Sequence, residues 1–152
     1  MARVSAWDFI QLHAAWGRTA VLKLRAVMER YNLAPKLIGV VSVAEPALEM
    51  MGELQGVVDA VLIDSSLRGG TGVRVPRDRL RKVVSEMSRP FLIAGGLKPE
   101  NVVEVIREFG PWGVDVQSGV ERPNGARQKD PALIEHFVRK VRALEKIGPN
   151  SA

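Results

Sequence analysis

Apolar residues are grouped along this chain into short runs rich in Val, Ile and Phe, and longer amphipathic stretches separate these runs. Brief, continuously apolar runs are typical of parallel strands that are covered on both faces. We therefore predict five buried strands, over residues 9–13, 36–41, 59–64, 90–94 and 112–117.

The stretches that follow the strands predict amphipathic helices, because their apolar residues recur at i, i+3, i+4 and i+7. The expected buried stripes are Leu24, Val27, Met28 and Tyr31 in the first helix, Leu80, Val83, Val84 and Met87 in the third, Val102, Val103, Ile106 and Phe109 in the fourth, and Ile134, Phe137, Val138 and Val141 in the last. The second helix, which is expected to begin at Pro46, has a weaker pattern, made of Leu48, Met51 and Leu54 or Gln55. Asp130 is the expected N-cap of the last helix, with Pro131 as its first residue.

The alternation of five strands and five helices predicts an α/β fold with a parallel sheet and right-handed crossovers. Periodicity alone does not distinguish an open, doubly wound sheet from part of a barrel. We assign residues 1–147 to one domain and expect the tail, residues 148–152, to be frayed. The length of 152 residues is short for a complete (β/α)8 barrel, which has at least about 200.

Composition excludes several classes of protein. Hydrophobic residues make up 46% of the chain and charged residues 26%, which is typical of a soluble globular protein and not of a disordered one. No apolar run reaches the roughly 18 residues of a membrane span, and the N-terminus lacks the apolar core of a signal peptide, so we expect a cytoplasmic protein without membrane contacts. The absence of cysteine excludes disulfides, thiolate metal sites and a cysteine base within this sequence.

The charge of the chain indicates an anionic partner. Lysine and arginine exceed aspartate and glutamate by five, and the isoelectric point is about 10.0. The densest basic segment, residues 74–82, lies on a predicted helix, and we interpret it as a solvated helix face. Without a zinc-finger or RNP motif, nucleic acid is the least favoured partner, and a phosphorylated or carboxylated small molecule is the alternative.

A carboxylate ends the third predicted strand. Asp64 follows four apolar residues, and a carboxylate at such a position is costly unless it is used or paired. A glycine-rich loop that can close over a ligand follows it and contains Gly69, Gly70, Thr71 and Gly72. A functional carboxylate and a simple helix cap or loop residue are equally compatible with this pattern.

Glycines follow the last two predicted strands. Gly95 and Gly96 come between a strand and a helix, where glycine allows the backbone N–H groups to approach a ligand closely. Ser118 and Gly119 follow the last strand and can begin a short helix aimed at an anion. Barrel enzymes build phosphate sites from the loops after their last two strands, so the pair of loops predicts a phosphate site.

These segments, in this order, resemble the phosphoribosylanthranilate isomerase family of tryptophan synthesis. The most specific blocks are Ala-Gly-Gly-Leu-Lys-Pro-Glu-Asn-Val at residues 94–102 and Val-Asp-Val-Gln-Ser-Gly-Val-Glu at 114–121, and shorter blocks match at 11–13, 62–65 and 69–72. The resemblance covers the last five βα units of the family's eight-stranded barrel. It therefore implies an incomplete barrel of the TIM type that lacks the first three βα units.

The resemblance implies an Amadori-type rearrangement of N-(5'-phosphoribosyl)anthranilate, an aminoaldose, to an aminoketose, without metal or cofactor. By this resemblance Asp64 is the general acid, and the residues that match the phosphate-binding loops are Gly95, Gly96, Ser118 and Gly119. The segment from Gly69 to Gly72 matches the substrate loop. Asp115 either lines the site or is a structural carboxylate, and for His13 a structural role is favoured over a catalytic one.

Two motifs of the family do not occur in this sequence. The family's general base is a cysteine in a Lys-Ile-Cys-Gly motif after the first strand, and an arginine after the second strand binds the anthranilate carboxylate. Locally, Gly39 stands where the family has a lysine, and residues 75–77 replace a Phe-Asp-Trp segment.

Three explanations of these departures stay open. The sequence is part of a longer enzyme, or a second polypeptide supplies the first three units, or the chain is a non-catalytic phosphate-binding or assembly fragment. Five parallel units have two open sheet edges, so we expect a homo-oligomer or a complementing chain. Another sugar-phosphate barrel enzyme, such as an indole-glycerol-phosphate synthase or an epimerase, is a further alternative.

Overall fold

The computed structural model describes residues 7–13, 16–43, 47–65, 77–123 and 127–145, in which strands and helices alternate. The described strands are β1 (Phe9–Leu12), β2 (Lys36–Ser42), β3 (Ala60–Asp64), β4 (Phe91–Ala94) and β5 (Gly113–Val114). The described α-helices are α1 (Arg18–Arg30), α2 (Ala47–Gln55), α3 (Arg77–Ser85), α4 (Val102–Phe109) and α5 (Pro131–Glu145). The predicted alternation is confirmed, and the strand that differs most from its prediction is β5, which is two residues long.

The strands pair in chain order, β1-β2-β3-β4-β5, and each pair is parallel. A doubly wound sheet reverses its strand order at a switch point, whereas the strands of a (β/α) barrel follow one another around the sheet. The described strands have no reversal. Their order therefore resolves the alternative that periodicity left open, in favour of the barrel-type arrangement.

The sheet is strongly curved. The ring centroids of Phe9 on β1 and Trp112, which directly precedes β5, are 5.9 Å apart. In a flat sheet the first and fifth strands would be about 19 Å apart, since neighbouring strands are separated by about 4.8 Å. The contact therefore requires that the two outermost strands bend towards each other, as in a segment of a barrel wall. We call the concave side, which carries Phe9, the inner face.

The opposite, outer face of the sheet is covered by the helices. A Cβ atom added at Gly39 would lie 3.3 Å from the side chains of Leu54 and Val58, which places this position against α2 and the turn after it. Five strand residues on this face have 0% of their surface exposed, namely Leu37, Val41, Val61, Ile63 and Ile93. Burial of this apolar layer is the main favourable contribution to the fold.

The predicted buried stripe of α1 is partly wrong. Val27 is 51% and Tyr31 66% exposed, whereas Val21 and Met28 are buried and Leu24 packs against the core. Val21, Leu24 and Met28 also have helical spacing, so the sequence contains two overlapping apolar stripes, of which the sheet covers one. Tyr31 is the C-cap residue and lies beyond the last turn.

The predicted stripe of α5 is also partly wrong. Phe137 is buried and Val141 packs against the core, but Ile134 is 40% and Val138 47% exposed. Leu133, which was not predicted, packs against the core and shifts the buried stripe by one position.

The start of α5 and the faces of the other helices follow the sequence pattern. The Asp130 side chain accepts a hydrogen bond of 2.9 Å from the N–H of Ala132, as an N-cap does. The predicted stripes of α3 and α4 are buried or packed against the core, and so are Met51 and Leu54 in α2. Val105, a further buried residue of α4, was not predicted.

The described part of the basic segment pairs with acidic residues of the next helix. Arg77 lies 2.9 Å from Glu104 and 2.7 Å from Glu108, and Arg81 lies 2.6 Å from Glu108. These contacts join the exposed sides of α3 and α4. They support the interpretation of this segment as a solvated helix face.

A charged cluster joins α1 to the N-terminal ends of β2 and β3. Asp59 accepts hydrogen bonds of 2.8 Å from the N–H of Leu37 and from the Arg25 guanidinium, which also donates to the carbonyl of Val57. Burial raises the pKa of Asp59, but the Leu37 donor and Arg25 together outweigh it, so this pKa lies below its ordinary value of 3.8.

Replacing Asp59 by asparagine is expected to weaken the acid dependence of stability. Because the folded state lowers the pKa of Asp59, its stabilising effect is complete above the ordinary pKa and is lost as pH falls through the folded pKa. Urea unfolding between about pH 5 and pH 1 measures the slope of the unfolding free energy against pH. Asp78→Asn is the control, since Asp78 is exposed and its ion pair among the described residues is with Arg81 of the same helix. Equal slopes for the wild type and Asp59→Asn would contradict the assignment.

Candidate active site

Asp64 is the last residue of β3 and lies at the C-terminal edge of the sheet. Its register partners are Ser42 on β2 and Ala94 on β4, so it belongs to the inner face. The carboxylate is half-buried, and its backbone carbonyl accepts a hydrogen bond of 3.0 Å from the N–H of Val43. The structure therefore places the predicted acid at the strand end, on the concave side. The predicted substrate loop, Gly69 to Gly72, lies outside the described residues.

Ser65 ties the end of β3 to the end of β4. Its N–H donates to the carbonyl of Ala94 at 2.9 Å, and its hydroxyl lies 2.8 Å from the same oxygen and 3.0 Å from the carbonyl oxygen of Gly95. The side chain is buried. Ser65 lies in the block at residues 62–65 that resembles the family, but the sequence alone assigns it no role. Its only local signal is a small polar residue directly after the strand-end carboxylate.

The loop after β4 has a conformation that requires glycine. Gly95 has φ of 91° and Gly96 has φ of 60°, values at which a side chain would be strained. The Asn101 side chain donates to the carbonyl of Gly96 at 3.1 Å and accepts from the N–H of Lys98 at 3.0 Å. These contacts hold the loop against the start of α4.

The loop after β5 lies directly against the loop after β4. A single 3-10 turn, η1 (Ser118–Val120), follows β5, as the sequence suggested. A Cβ atom added at Gly119 would lie 1.7 Å from the carbonyl oxygen of Leu97, so this backbone contact is possible only for glycine. The structure therefore brings the two glycine-containing loops together.

The two remaining candidates also belong to the inner face. His13 directly follows β1 and is exposed, and strand alternation places it on the same side as Gln11, the partner of Ile38. Asp115 directly follows β5, is half-buried, and donates its N–H to the carbonyl of Ile93 at 3.0 Å. The C-terminal ends of β3, β4 and β5 consequently present three neighbouring residues on the inner face, namely Asp64, Ala94 and Asp115.

The described ranges of the chain contain neither a membrane-spanning helix nor a cluster of metal-binding side chains. Within them, no helix is both long and apolar enough to cross a membrane. Likewise, no group of three or more histidine, aspartate or glutamate side chains there is arranged to hold a metal ion.

The chain is similar to known proteins both in sequence and in structure. A family model described as N-(5'phosphoribosyl)anthranilate (PRA) isomerase matches residues 1–140. The N-(5'-phosphoribosyl)anthranilate isomerase of Methanosarcina acetivorans is 42% identical over 89% of this chain and 60% of its own length. That of Rhodopseudomonas palustris strain BisB5 is 36% identical over 92% of this chain and 63% of its own length.

The solved structures give the same relationship. The phosphoribosyl anthranilate isomerase of Thermococcus kodakaraensis superposes with a TM-score of 0.64 and 34% identity, over 89% of this chain and 63% of that one. The described sheet is thus a partial TIM-type barrel, and the chain spans about three fifths of the length of the relatives that it matches. By family model, sequence identity and fold, the chain belongs to the N-(5'-phosphoribosyl)anthranilate isomerase family.

Proposed function

We propose that this chain provides the proton-donating and phosphate-binding part of an N-(5'-phosphoribosyl)anthranilate isomerase. The observation that carries the proposal is the arrangement at the C-terminal ends of β3 and β4. Asp64 is the register partner of Ala94 there, and Ser65 is hydrogen-bonded to the first residue of the glycine loop. An acid beside an anion-binding loop suits a substrate that carries both a sugar ring and a phosphate.

The proposed reaction begins at the ring oxygen of the sugar. Asp64 donates a proton to this oxygen as the bond to C1 breaks, and the nitrogen lone pair forms a Schiff base. A base then removes the proton from C2, which yields the enol form of the aminoketose. These steps transfer protons and rearrange bonding electrons within the substrate, without electron exchange with another molecule, so they need neither metal nor redox cofactor.

The phosphate is proposed to bind between the two glycine-containing loops, at backbone N–H groups of Gly95, Gly96, Ser118 and Gly119. The contact between Gly119 and Leu97 supports this assignment, because the two loops lie against each other there. Backbone N–H groups in such turns are suited to bind an anion. Gly69 to Gly72 stay a proposed substrate loop, and His13 and Asp115 are proposed to line the inner face.

The general base is proposed to come from polypeptide outside these 152 residues, since the sequence contains no cysteine. Two features support a complementing partner, either further βα units or another copy of the chain. Among the described strands, β1 and β5 each pair on one side only, and the helices at the two ends of the sheet expose apolar residues, including Leu22 on α1 and Ile134 and Val138 on α5. A cytoplasmic location stays a prediction.

A mixing experiment tests this function. The chain is assayed for loss of substrate fluorescence alone and after addition of the βα units of the Methanosarcina acetivorans relative that it does not match. We expect turnover in the mixture and stabilisation of either sample by phosphate, about 2.7 kcal/mol at a hundredfold excess over Kd.

The possible outcomes separate the two candidate functions. Stabilisation by phosphate without turnover in the mixture would favour a non-catalytic phosphate-binding module, the alternative that the absent cysteine supports. If phosphate stabilises neither sample and no turnover appears, the proposed function is wrong.

A further inference from the structure

Ser65 is the one polar residue among the buried side chains of the described ranges, with 5% of its surface exposed. A buried hydroxyl is unfavourable unless it is hydrogen-bonded, and a strand end beside an apolar core gives it no obvious packing advantage over alanine. Its hydrogen bonds therefore indicate why this residue type stands here.

The Ser65 hydroxyl has two hydrogen-bond acceptors, one at the last residue of β4 and one at the first residue of the loop after it. They are the carbonyl oxygens of Ala94 at 2.8 Å and Gly95 at 3.0 Å. In a planar trans peptide unit, the C=O of one residue and the N–H of the next point in opposite directions. Contacts with these two carbonyls therefore orient the N–H groups of Gly95 and Gly96.

Asn101 acts on the following peptide unit from the side of α4. Its amide donates to the carbonyl of Gly96 at 3.1 Å, and this contact orients the N–H of Leu97 by the same geometry. Three successive peptide units are thus held from outside the loop. Glycines have more backbone freedom than other residues, so an unheld Gly-Gly segment would sample many orientations.

We infer that Ser65 is a positioning residue that orients the N–H groups of the phosphate loop relative to the acid. The inference rests on the proposed function and extends it. Ser65 is bonded through the chain to Asp64 and through its hydroxyl to Gly95, so it directly connects the proposed proton donor with the proposed phosphate site. It acts through the loop carbonyls and does not itself bind substrate.

The experiment is a titration of the full 152-residue chain, labelled with nitrogen-15, with inorganic phosphate. The amide signals of Gly95 and Gly96 are followed for the wild type and for Ser65→Ala. We expect both signals to shift in the wild type, and Ser65→Ala to reduce the shifts and weaken phosphate binding by about tenfold or more.

Ile63→Val is the matched control. Ile63 is fully buried two residues earlier on β3 and faces the helices, so its truncation lowers stability without touching the loop carbonyls. We expect this variant to bind phosphate as the wild type does. If Ser65→Ala does not fold, Ser65→Cys, a weaker donor of similar shape, gives the same comparison with a smaller loss.

Each outcome separates the inference from the function on which it rests. Unchanged affinity and unchanged glycine shifts in Ser65→Ala, with a responsive wild type, would overturn the inference alone. The same holds if Ile63→Val weakens phosphate binding as much as Ser65→Ala does, because the weaker binding would then result from lower stability of the fold. A wild type in which neither glycine amide responds would refute the phosphate site and the inference together.

Discussion

Asp64→Asn is expected to lower the turnover of the complemented enzyme by about 10²- to 10⁴-fold, the usual contribution of a general acid. The substitution keeps the size of the side chain and its position at the end of β3 but removes the transferable proton. Because the phosphate loop is unchanged, the loss should fall on kcat and leave KM within a few fold. Loss of substrate fluorescence at several substrate concentrations measures both quantities.

Asp115→Asn is the matched control for this prediction. Asp115 is also half-buried, lies on the same inner face, and loses the same charge in the variant. If charge at the mouth of the barrel were the important property, both variants would lose similar activity. A small loss for Asp115→Asn beside a large one for Asp64→Asn supports proton donation. Full turnover by Asp64→Asn would refute the acid assignment.

Where sequence and structure agree, the relevant information is local. The strand ends that carry Asp64 and Gly95 follow from short apolar runs bounded by polar or glycine residues, and the start of α5 follows from Asp130 and Pro131. Periodicity did not determine the strand order. That order separated a barrel from a doubly wound sheet, and it depends on pairings between distant segments.

The errors in α1 and α5 have one physical origin. The pattern i, i+3, i+4, i+7 identifies apolar stripes but does not say which neighbouring element covers them. Val27 on α1 and Ile134 and Val138 on α5 belong to such stripes and are exposed. Both helices stand at an end of the sheet, where the described chain has no further βα unit to cover that side.

The contacts that shape the site are long-range, which is why sequence reasoning missed Ser65. Its hydroxyl bonds to a carbonyl 29 residues away, and no pattern within β3 indicates that partner. Sequence reasoning identified Gly119 as part of a phosphate loop, but the closeness of its backbone to Leu97 appears only in the folded chain.

Gly119→Ala is expected to destabilise the chain by about 3 kcal/mol or more, at the upper end of the range for overpacking. The new Cβ would lie 1.7 Å from the Leu97 carbonyl oxygen and 3.0 Å from Lys98 Cα, and neither backbone atom can move away as a flexible side chain would. The two loops must therefore separate, and phosphate binding should weaken together with stability. Urea unfolding with and without phosphate measures both effects.

Gly52→Ala provides the control, because it adds the same methyl group where space is free. Gly52 lies within α2, and an added Cβ would meet no atom within 4 Å among the described residues outside its own helix backbone and chain neighbours. Since alanine favours a helix over glycine by up to about 1 kcal/mol, this variant should be slightly more stable than the wild type and bind phosphate equally well. If Gly119→Ala matched Gly52→Ala in stability and phosphate binding, the loops would not be in the contact described, and the phosphate site would lose its main structural support.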